Sequence, residues 1–368
     1  MRLKKVTLHL TEMQLVKPFE SSIGKVENRE SILVEAEDED GTVGWGEGVA
    51  FSSPWYTEET VRTSLHMLSE FLIPISFGRH YQHPEDTASS FSGLKRNRMA
   101  KASIEMAMWD LYGKQQGRSL SSLLGGVRKS VDAGIVVGLA PLPEMLEAIE
   151  QALASGYKRL KIKIKPGHDY QLIKQIRRYY PDVSLMADAN SAYTLDQAEQ
   201  LKALDEFGLM MIEQPLAADD IVDHAVLQQM LQTPICLDES IESAEDARKA
   251  IKLGSCKVIN IKPGRVGGLT ETKKIHDLCA ANGIPVWCGG MLETGISRAH
   301  NIAAASLSNF TIPGDISASS RYWKEDLIYP EVTIHNGKVA VPEGPGIGFD
   351  IDRGKLKKYT KQRFIFKK

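Results

Sequence analysis

The sequence predicts an α/β protein, a (β/α) TIM-like barrel with a separate α+β capping domain. From about residue 131, strand-like runs alternate with amphipathic helices, as in repeated β-α units around a parallel sheet. Charged residues also recur at the ends of successive runs at a nearly constant spacing. Residues 1–130 and 323–368 lack this rhythm. We therefore predict a barrel over residues 131–322 and a cap formed by the N-terminal segment and the C-terminal tail.

The N-terminal segment reads as strands followed by helices, an order typical of a small α+β domain. Strand-like alternation occurs at residues 4–10 and 31–36, and a polar turn then leads into a third extended run. Helical spacing follows around residues 58–71 and 98–116.

The central segment contains eight strand-like runs, the last of them weak. They are predicted at residues 134–137, 160–165, 183–188, 209–213, 235–238, 258–262, 285–288 and 310–315. The helices between them include residues 142–154, 171–180, 195–204, 244–253 and 269–282. A doubly wound open sheet is the alternative, but no GxGxxG pattern follows the first run to support a nucleotide site. In the tail, residues 332–341 predict a hairpin with Asn-Gly at its turn.

The composition is that of an ordinary globular protein. Of the 368 residues, 42% are hydrophobic and 25% are charged, and the net charge is −2, so we expect no nucleic-acid partner. No apolar run approaches the length of a membrane span, and the N-terminus lacks the apolar core of a signal peptide. We therefore expect no membrane partner. The four cysteines show no CxxC spacing, which favours reduced thiols and a cytoplasmic location.

One predicted strand, residues 160–165, alternates apolar residues with lysines. Parallel strands in α/β proteins are usually apolar on both faces. Taken alone, the alternation fits a solvated strand face. In a barrel, however, Lys161 and Lys163 would point inward, where each ammonium group needs an anionic partner or a chemical role.

Five charged residues end consecutive predicted strands: Lys163, Asp188, Glu213, Asp238 and Lys262. Their spacings are 25, 25, 25 and 24 residues, one β-α unit each time. In a barrel these positions surround the C-terminal mouth, where barrel enzymes carry their catalytic groups. Three carboxylates that converge there repel one another unless a cation binds them. The spacing therefore predicts that the three acids form a metal site.

All three predicted ligands are oxygen donors, and no HxH or HxxxH spacing accompanies them. Such a donor set favours Mg²⁺, with Mn²⁺ as an alternative, over Zn²⁺. Asn190 and Glu239 lie next to two of the acids in sequence and are predicted to orient ligands or lysines.

The first and last residues of this series, Lys163 and Lys262, are predicted to lie on opposite sides of the metal. A divalent cation and partial burial both favour the neutral amine, so either lysine could act as a base at neutral pH. We expect Lys161 to lower the pKa of Lys163, and Arg265 either to lower that of Lys262 or to be a structural arginine. Two bases beside a metal-held carboxylate suit removal of the α-proton, with Mg²⁺ stabilising the enediolate.

The chain resembles the enolase superfamily, in its muconate-cycloisomerase-like subgroup. Five motifs carry the resemblance: Lys161-Ile162-Lys163, Asp188-Ala189-Asn190, Glu213-Gln214-Pro215, Asp238-Glu239-Ser240 and Lys262-Pro263-Gly264. Residues 262–268, 287–295 and 313–319 are most similar to the o-succinylbenzoate synthase / N-succinylamino acid (N-acylamino acid) racemase family. Dipeptide epimerases of the subgroup typically carry Asp-x-Asp near the eighth strand. This chain has Asp315-Ile316-Ser317 there, which counts against that assignment.

The resemblance implies that Asp188, Glu213 and Asp238 bind Mg²⁺. It also implies that Lys163 removes a proton in the synthase reaction, a syn dehydration of menaquinone biosynthesis, while Lys262 stabilises the enediolate as a cation. In racemisation, the two lysines would exchange protons on opposite faces of the substrate. One site could serve both reactions because both pass through an enediolate.

Two cap loops, residues 18–22 and 51–55, are expected to close over a small-molecule carboxylate substrate. Phe19 and Phe51 on these loops, and Met291 in the barrel, are predicted to bind the substrate or support its binding. We also expect a homo-oligomer. The alternatives are a dipeptide epimerase, a muconate-type cycloisomerase, a Schiff-base barrel lyase and a barrel without catalytic activity.

Overall fold

The computed structural model describes residues 1–20 and 25–368, so Ser21 and Ser22 of the first predicted cap loop lie outside the described residues. Three antiparallel strands begin the chain, namely β1 (Leu3–Glu20), β2 (Lys25–Asp38) and β3 (Val43–Gly48). Strand β1 runs beyond the predicted residues 4–10 because Thr11, Met13 and Leu15 continue the alternation of buried side chains.

Helices follow this sheet in the chain. They are α1 (Val61–Met67), continued by a π-helical turn (Leu68–Leu72) into α2 (Ile73–Phe77), then α3 (Glu85–Ser90), α4 (Arg98–Gln115) and α5 (Leu120–Leu124). Helix α4 is buried along most of its length and packs against β2 and β3. Gly46 permits this close approach, since a Cβ atom there would lie 2.0 Å from the carbonyl oxygen of Ser103.

A seven-stranded parallel sheet with intervening helices forms the centre of the molecule, as the sequence predicts for an α/β protein. After the short strand β4 (Ser130–Asp132), its elements are β5 (Gly134–Val137), α6 (Leu142–Ala154), β6 (Arg159–Lys163), α7 (Tyr170–Tyr179), β7 (Leu185–Asp188), α8 (Ala198–Lys202), β8 (Ile212–Glu213), α9 (Val222–Met230), β9 (Ile235–Leu237), α10 (Ala244–Leu253), β10 (Val258–Ile261), α11 (Pro263–Val266), α12 (Leu269–Ala281), β11 (Val286–Cys288) and α13 (Gly295–Ala305). The strands adjoin one another in chain order from β5 to β11. The predicted helix at 195–204 is interrupted, because 3₁₀ turns flank α8 at Leu195–Gln197 and Ala203–Phe207.

The weak eighth run, residues 310–315, forms isolated bridges rather than a regular strand. Pro313 lacks an amide hydrogen and cannot support a continuous ladder. The segment nevertheless contacts both edges of the sheet. The amide of Asp315 donates to the carbonyl of Cys288 (2.8 Å) on β11, and the amide of Gly134 on β5 donates to the carbonyl of Gly314 (2.7 Å).

The tail returns to elements from earlier in the chain. It contains β12 (Ile328–Tyr329), β13 (Lys338–Ala340), β14 (Asp350–Ile351), α14 (Arg353–Tyr359) and β15 (Thr360–Lys367). Strand β15 pairs antiparallel with β1 and completes a four-stranded sheet. The predicted boundaries at residues 130 and 322 stay a prediction. Among the described residues, no helix is both long and apolar enough to span a membrane.

The predicted hairpin at residues 332–341 is wrong in its strand pairing. Around the Asn-Gly turn, with φ of 51° at Asn336 and 69° at Gly337, only His335 and Lys338 pair with each other. Strand β13 pairs instead with β4, and this pairing buries Val339. Burial of that side chain against an earlier strand outweighs the local hairpin.

Candidate active site

The ends of five neighbouring strands bring the five predicted charged residues to one edge of the parallel sheet. Lys163, Asp188 and Glu213 end β6, β7 and β8 in register, so that each residue pairs with the next. Asp238 and Lys262 directly follow β9 and β10. All five side chains are buried. The regular 24- or 25-residue spacing in sequence thus corresponds to adjacency in space.

The ammonium group of Lys161 lies between carboxylates. Its Nζ atom is 2.8 Å from Oδ2 of Asp188, 2.6 Å from Oε2 of Glu213 and 3.5 Å from Oδ2 of Asp315. Burial opposes the charge on Lys161, but these carboxylates outweigh burial and hold its pKa well above the usual value. Burial also opposes the charge on Asp188, yet Lys161 and Lys163 lower the pKa of that carboxyl. Lys161 is therefore a cation that binds two of the predicted metal ligands.

The two predicted bases have matched partners. Nζ of Lys163 donates to Oδ2 of Asp188 (2.7 Å) and to the amide oxygen of Asn190 (2.6 Å). Nζ of Lys262 donates to Oδ2 of Asp238 (2.8 Å) and to the phenol oxygen of Tyr56 (2.8 Å). Each lysine thus contacts one carboxylate and one oxygen of an amide or a phenol.

In the protein without a bound cation, the pKa of Lys262 is raised, and the lowering expected beside a divalent cation stays a prediction. Burial does favour the neutral amine, but the oxygen of Tyr56 and the carboxylate of Glu239 outweigh burial and raise the pKa of Lys262. The sequence indicated that Arg265 lies near Lys262, because only three residues separate them. It did not predict the contact with Tyr56, which comes from a distant part of the chain.

Arg265 is buried and uses its guanidinium group to hold Asp238 in place. Nη1 donates to Oδ1 of Asp238 and to the phenol oxygen of Tyr56 (3.2 Å). Nη2 donates to the backbone carbonyl of Asn260 (2.8 Å), and Nε donates to that of Ile241 (3.1 Å). Arg265 therefore both orients a carboxylate and adds a positive charge beside Tyr56.

The two polar residues predicted to orient ligands contact each other. Asn190 donates to Oε1 of Glu239 (3.3 Å) while its own amide oxygen accepts from Lys163. Its backbone amide donates to Oδ1 of Asp188 (2.9 Å), in a turn with a φ of 44°. Burial raises the pKa of Glu239. Asn190 therefore connects the loops after β7 and β9.

Two further residues, to which the sequence analysis gave no role, position two of the acids. Asn260, on the strand that precedes Lys262, donates to Oε1 of Glu213 (2.8 Å). Gln214, which has a φ of 38°, accepts from the backbone amide of Asp238 (3.0 Å). Asn260 could have been found from its position two residues before Lys262, on the same side of a strand.

Aromatic side chains from the N-terminal segment form a wall of the pocket that contains both lysines. Phe19, Phe51 and Met291, which were predicted to bind the substrate or support its binding, line this pocket. So do Trp55, Tyr56, Tyr322 and Asp315, which the sequence analysis did not assign to the site. The rings of Phe51 and Trp55 lie 4.5 Å apart. The pocket therefore combines an apolar aromatic side with a strongly charged floor.

A divalent cation would find suitable donors in this site. Asp188, Glu213 and Asp238 supply buried carboxylate oxygens, the ligands that hard cations prefer. Within residues 1–20 and 25–368, however, no three Asp, Glu, His or Cys side chains form a ready-made ligand cluster. Asp188 and Glu213 share the Lys161 ammonium group, and Asp238 is held by Lys262 and Arg265.

Acids and lysines at the strand ends of a parallel α/β sheet are typical of barrel enzymes. Comparison with known protein families identifies the class of enzyme. Residues 144–355 match the family described as "Enolase C-terminal domain-like", and residues 5–125 match the "Mandelate racemase / muconate lactonizing enzyme, N-terminal domain". The chain belongs to the enolase superfamily, whose enzymes generally depend on a divalent metal.

Individual relatives are more specific. An o-succinylbenzoate synthase of Geobacillus stearothermophilus is 58% identical over 98% of this chain and 96% of the relative. An N-succinylamino acid racemase of Thermus thermophilus is 47% identical over 95% of this chain and 94% of its own. A solved enolase-superfamily structure from Listeria innocua superposes with a TM-score of 0.97 at 43% identity, covering 100% of this chain and 99% of the other.

Proposed function

We propose that this chain removes the proton α to a substrate carboxylate and forms an enediolate, acting as an o-succinylbenzoate synthase, an N-succinylamino acid racemase, or both. The observation that carries the proposal is that Lys163 and Lys262, two buried lysines on strands separated by three others, line one pocket. Relatives at 58% and 47% identity carry these two names.

The complete barrel is part of the proposal. Hydrogen bonds from residues 309–315 to both β11 and β5 support closure of the seven strands into a ring through this segment. In such a ring, β6 and the end of β10 face each other across the mouth. We propose that residues 1–130 and the tail from 323 act as the cap of this barrel, with β15 pairing to β1 in support.

The two lysines would act on opposite faces of the substrate. Lys163 would take the α-proton, and Lys262 would give a proton to the other face in racemisation, or remain an ammonium ion beside the enediolate in dehydration. In dehydration, loss of the α-proton and of hydroxide from the neighbouring carbon leaves a carbon–carbon double bond. The aromatic wall with Phe19 and Phe51 would cover an acyl group and exclude water.

We propose that Asp188, Glu213 and Asp238 hold the cation, Mg²⁺ or alternatively Mn²⁺, with Asn190, Glu239 and Arg265 orienting the acids and lysines. When bound, the cation would draw negative charge from the substrate carboxylate. It would also compete with Lys161 for two of the acids, since Lys161 contacts both. The substrate is a small-molecule carboxylate, and the assembly is proposed to be a homo-oligomer.

The test compares both activities in matched variants. Lys163→Ala and Lys262→Ala should each abolish racemisation of N-succinylamino acids while circular dichroism remains that of the parent. Racemisation at the parental rate in either variant would contradict the two-base role. EDTA should abolish activity and Mg²⁺ should restore it. Full activity in chelator, or a borohydride-trapped adduct on a lysine, would instead indicate Schiff-base chemistry.

A further inference from the structure

The amide and phenol oxygens that contact the two lysines come from different parts of the molecule. Asn190 lies on the loop directly after β7, two residues from Asp188, and is thus part of the parallel-sheet scaffold. Tyr56 lies on the cap segment between β3 and α1, separated from Lys262 by 206 residues in the chain. The partners are therefore alike in chemistry but different in origin.

Tyr56 contacts Lys262 through both its phenol oxygen and its ring. The lysine Nζ lies 2.8 Å from the phenol oxygen and 4.7 Å from the ring centroid. The Tyr56 ring packs edge-on against Trp55 and Phe51, with centroid distances of 6.0 and 6.1 Å. Nη1 of Arg265 approaches the same phenol oxygen at 3.2 Å. Lys262 and Arg265 thus both contact the phenol oxygen of Tyr56, and the tyrosine ring packs against two aromatic neighbours.

The hydrogen bonds that Lys163 makes with the described residues do not involve this cap segment. Its hydrogen bonds go to Asp188, the last residue of β7, and to Asn190 on the loop that follows. A shift of the cap segment that carries Tyr56 would therefore remove a partner from Lys262 and leave the partners of Lys163 in place.

We propose that Tyr56 is a positioning residue for Lys262 alone, so that proton transfer on one face of the substrate depends on the cap, whereas transfer on the Lys163 face does not. The inference rests on the proposed two-base function. A hydrogen bond aims the amine of Lys262 at the substrate carbon, and proton transfer is sensitive to such alignment. Asn190 performs the matching task for Lys163 from the scaffold.

The experiment measures α-hydrogen exchange in D₂O for each enantiomer of N-succinylphenylalanine by proton NMR, using the full chain with Mg²⁺. Lys163→Ala and Lys262→Ala first assign each enantiomer to its lysine. Tyr56→Phe keeps the ring and removes only the oxygen. It should slow exchange of the Lys262 enantiomer by about 10-fold, the value of a hydrogen bond to a charged group, and leave the other enantiomer unchanged.

Asn190→Ala should give the opposite result. It should slow exchange of the enantiomer assigned to Lys163 more than exchange of the enantiomer assigned to Lys262. Tyr180→Phe is the matched control, because its phenol bonds the carbonyl of Leu146 at 3.2 Å, away from the pocket, and both exchange rates should be parental. Equal slowing of both enantiomers by Tyr56→Phe, or no slowing of either, would overturn the inference. If the lysine variants show no preference between enantiomers, the two-base function itself fails, and the inference falls with it.

Discussion

Glu105, on α4 of the N-terminal segment, binds the start of α12 in the parallel-sheet region. Its carboxylate accepts hydrogen bonds from the backbone amides of Leu269 (2.8 Å) and Thr270 (2.9 Å), the hydroxyl of Thr270 (2.5 Å) and Nε1 of Trp109 (2.7 Å). The residue is fully buried, and burial outweighs these donors and raises its pKa to about 7 from an ordinary value of 4.5.

This shift makes stability depend on pH. Because the folded protein binds the Glu105 proton more tightly than the unfolded chain does, the contribution is complete below pH 4.5 and is lost as the pH rises through about 7. Between pH 5.5 and 8 the loss amounts to about 2 kcal/mol. Glu105→Gln cannot titrate, and its amide hydrogens would face a backbone amide donor, at a cost of about 1–3 kcal/mol at every pH.

Urea unfolding followed by tryptophan fluorescence, at pH 5.5 and 8 and constant ionic strength, measures both effects. The gap in stability between the parent and Glu105→Gln should be larger at pH 5.5 by about 2 kcal/mol. Glu47, whose pKa burial also raises to about 7, is present in both proteins and cancels. Glu85→Gln, an exposed change on α3, should leave the pH dependence parental. An equal gap at both pH values would refute titration of Glu105.

Three further changes test other contacts. Lys161→Met leaves two buried carboxylates without their shared cation. In EDTA it should lower the free energy of unfolding by about 3–5 kcal/mol. A variant as stable as the parent would contradict a structural role for these ion pairs. Arg29→Met removes the hydrogen bonds from Arg29 to the two backbone carbonyls before Phe51. Acrylamide should then quench the fluorescence of Trp55 more strongly, and KM should rise. Unchanged quenching would show that Arg29 does not hold this segment in place. Gly264→Ala places a Cβ 2.5 Å from Cγ2 of Val49 and should cost about 1–3 kcal/mol in urea unfolding, whereas a neutral result would show that Val49 moves freely.

The sequence was most informative where periodicity and topology act together. Lys163, Asp188 and Glu213 sit at the ends of adjacent strands because one β-α unit separates them, and parallel strands bring equivalent positions to the same edge. Their proximity therefore followed from spacing alone. Their partners did not, since the sequence cannot say whether an inward Lys161 contacts carboxylates, a metal or solvent.

Residues outside the repeat were harder to place. Tyr56 reaches Lys262 from an irregular segment between β3 and α1, and no periodicity links the two positions. Asp315 accepts from Arg159 at 2.5 Å, on a segment that Pro313 prevents from forming a regular strand. The hairpin error has the same origin, since the local turn signal was correct but the partner of β13 was about 200 residues away in the chain.

The pairing of β15 with β1 also has a consequence during protein synthesis. Lys5 pairs with Lys367, so β1 emerges from the ribosome long before its partner exists. At 5–20 residues per second, the delay is roughly 20–70 s. Throughout that time, one side of β1 offers unpaired amides and carbonyls to other nascent chains. Slowing translation in the last third of the message should therefore increase the fraction of newly made protein that needs chaperones or aggregates.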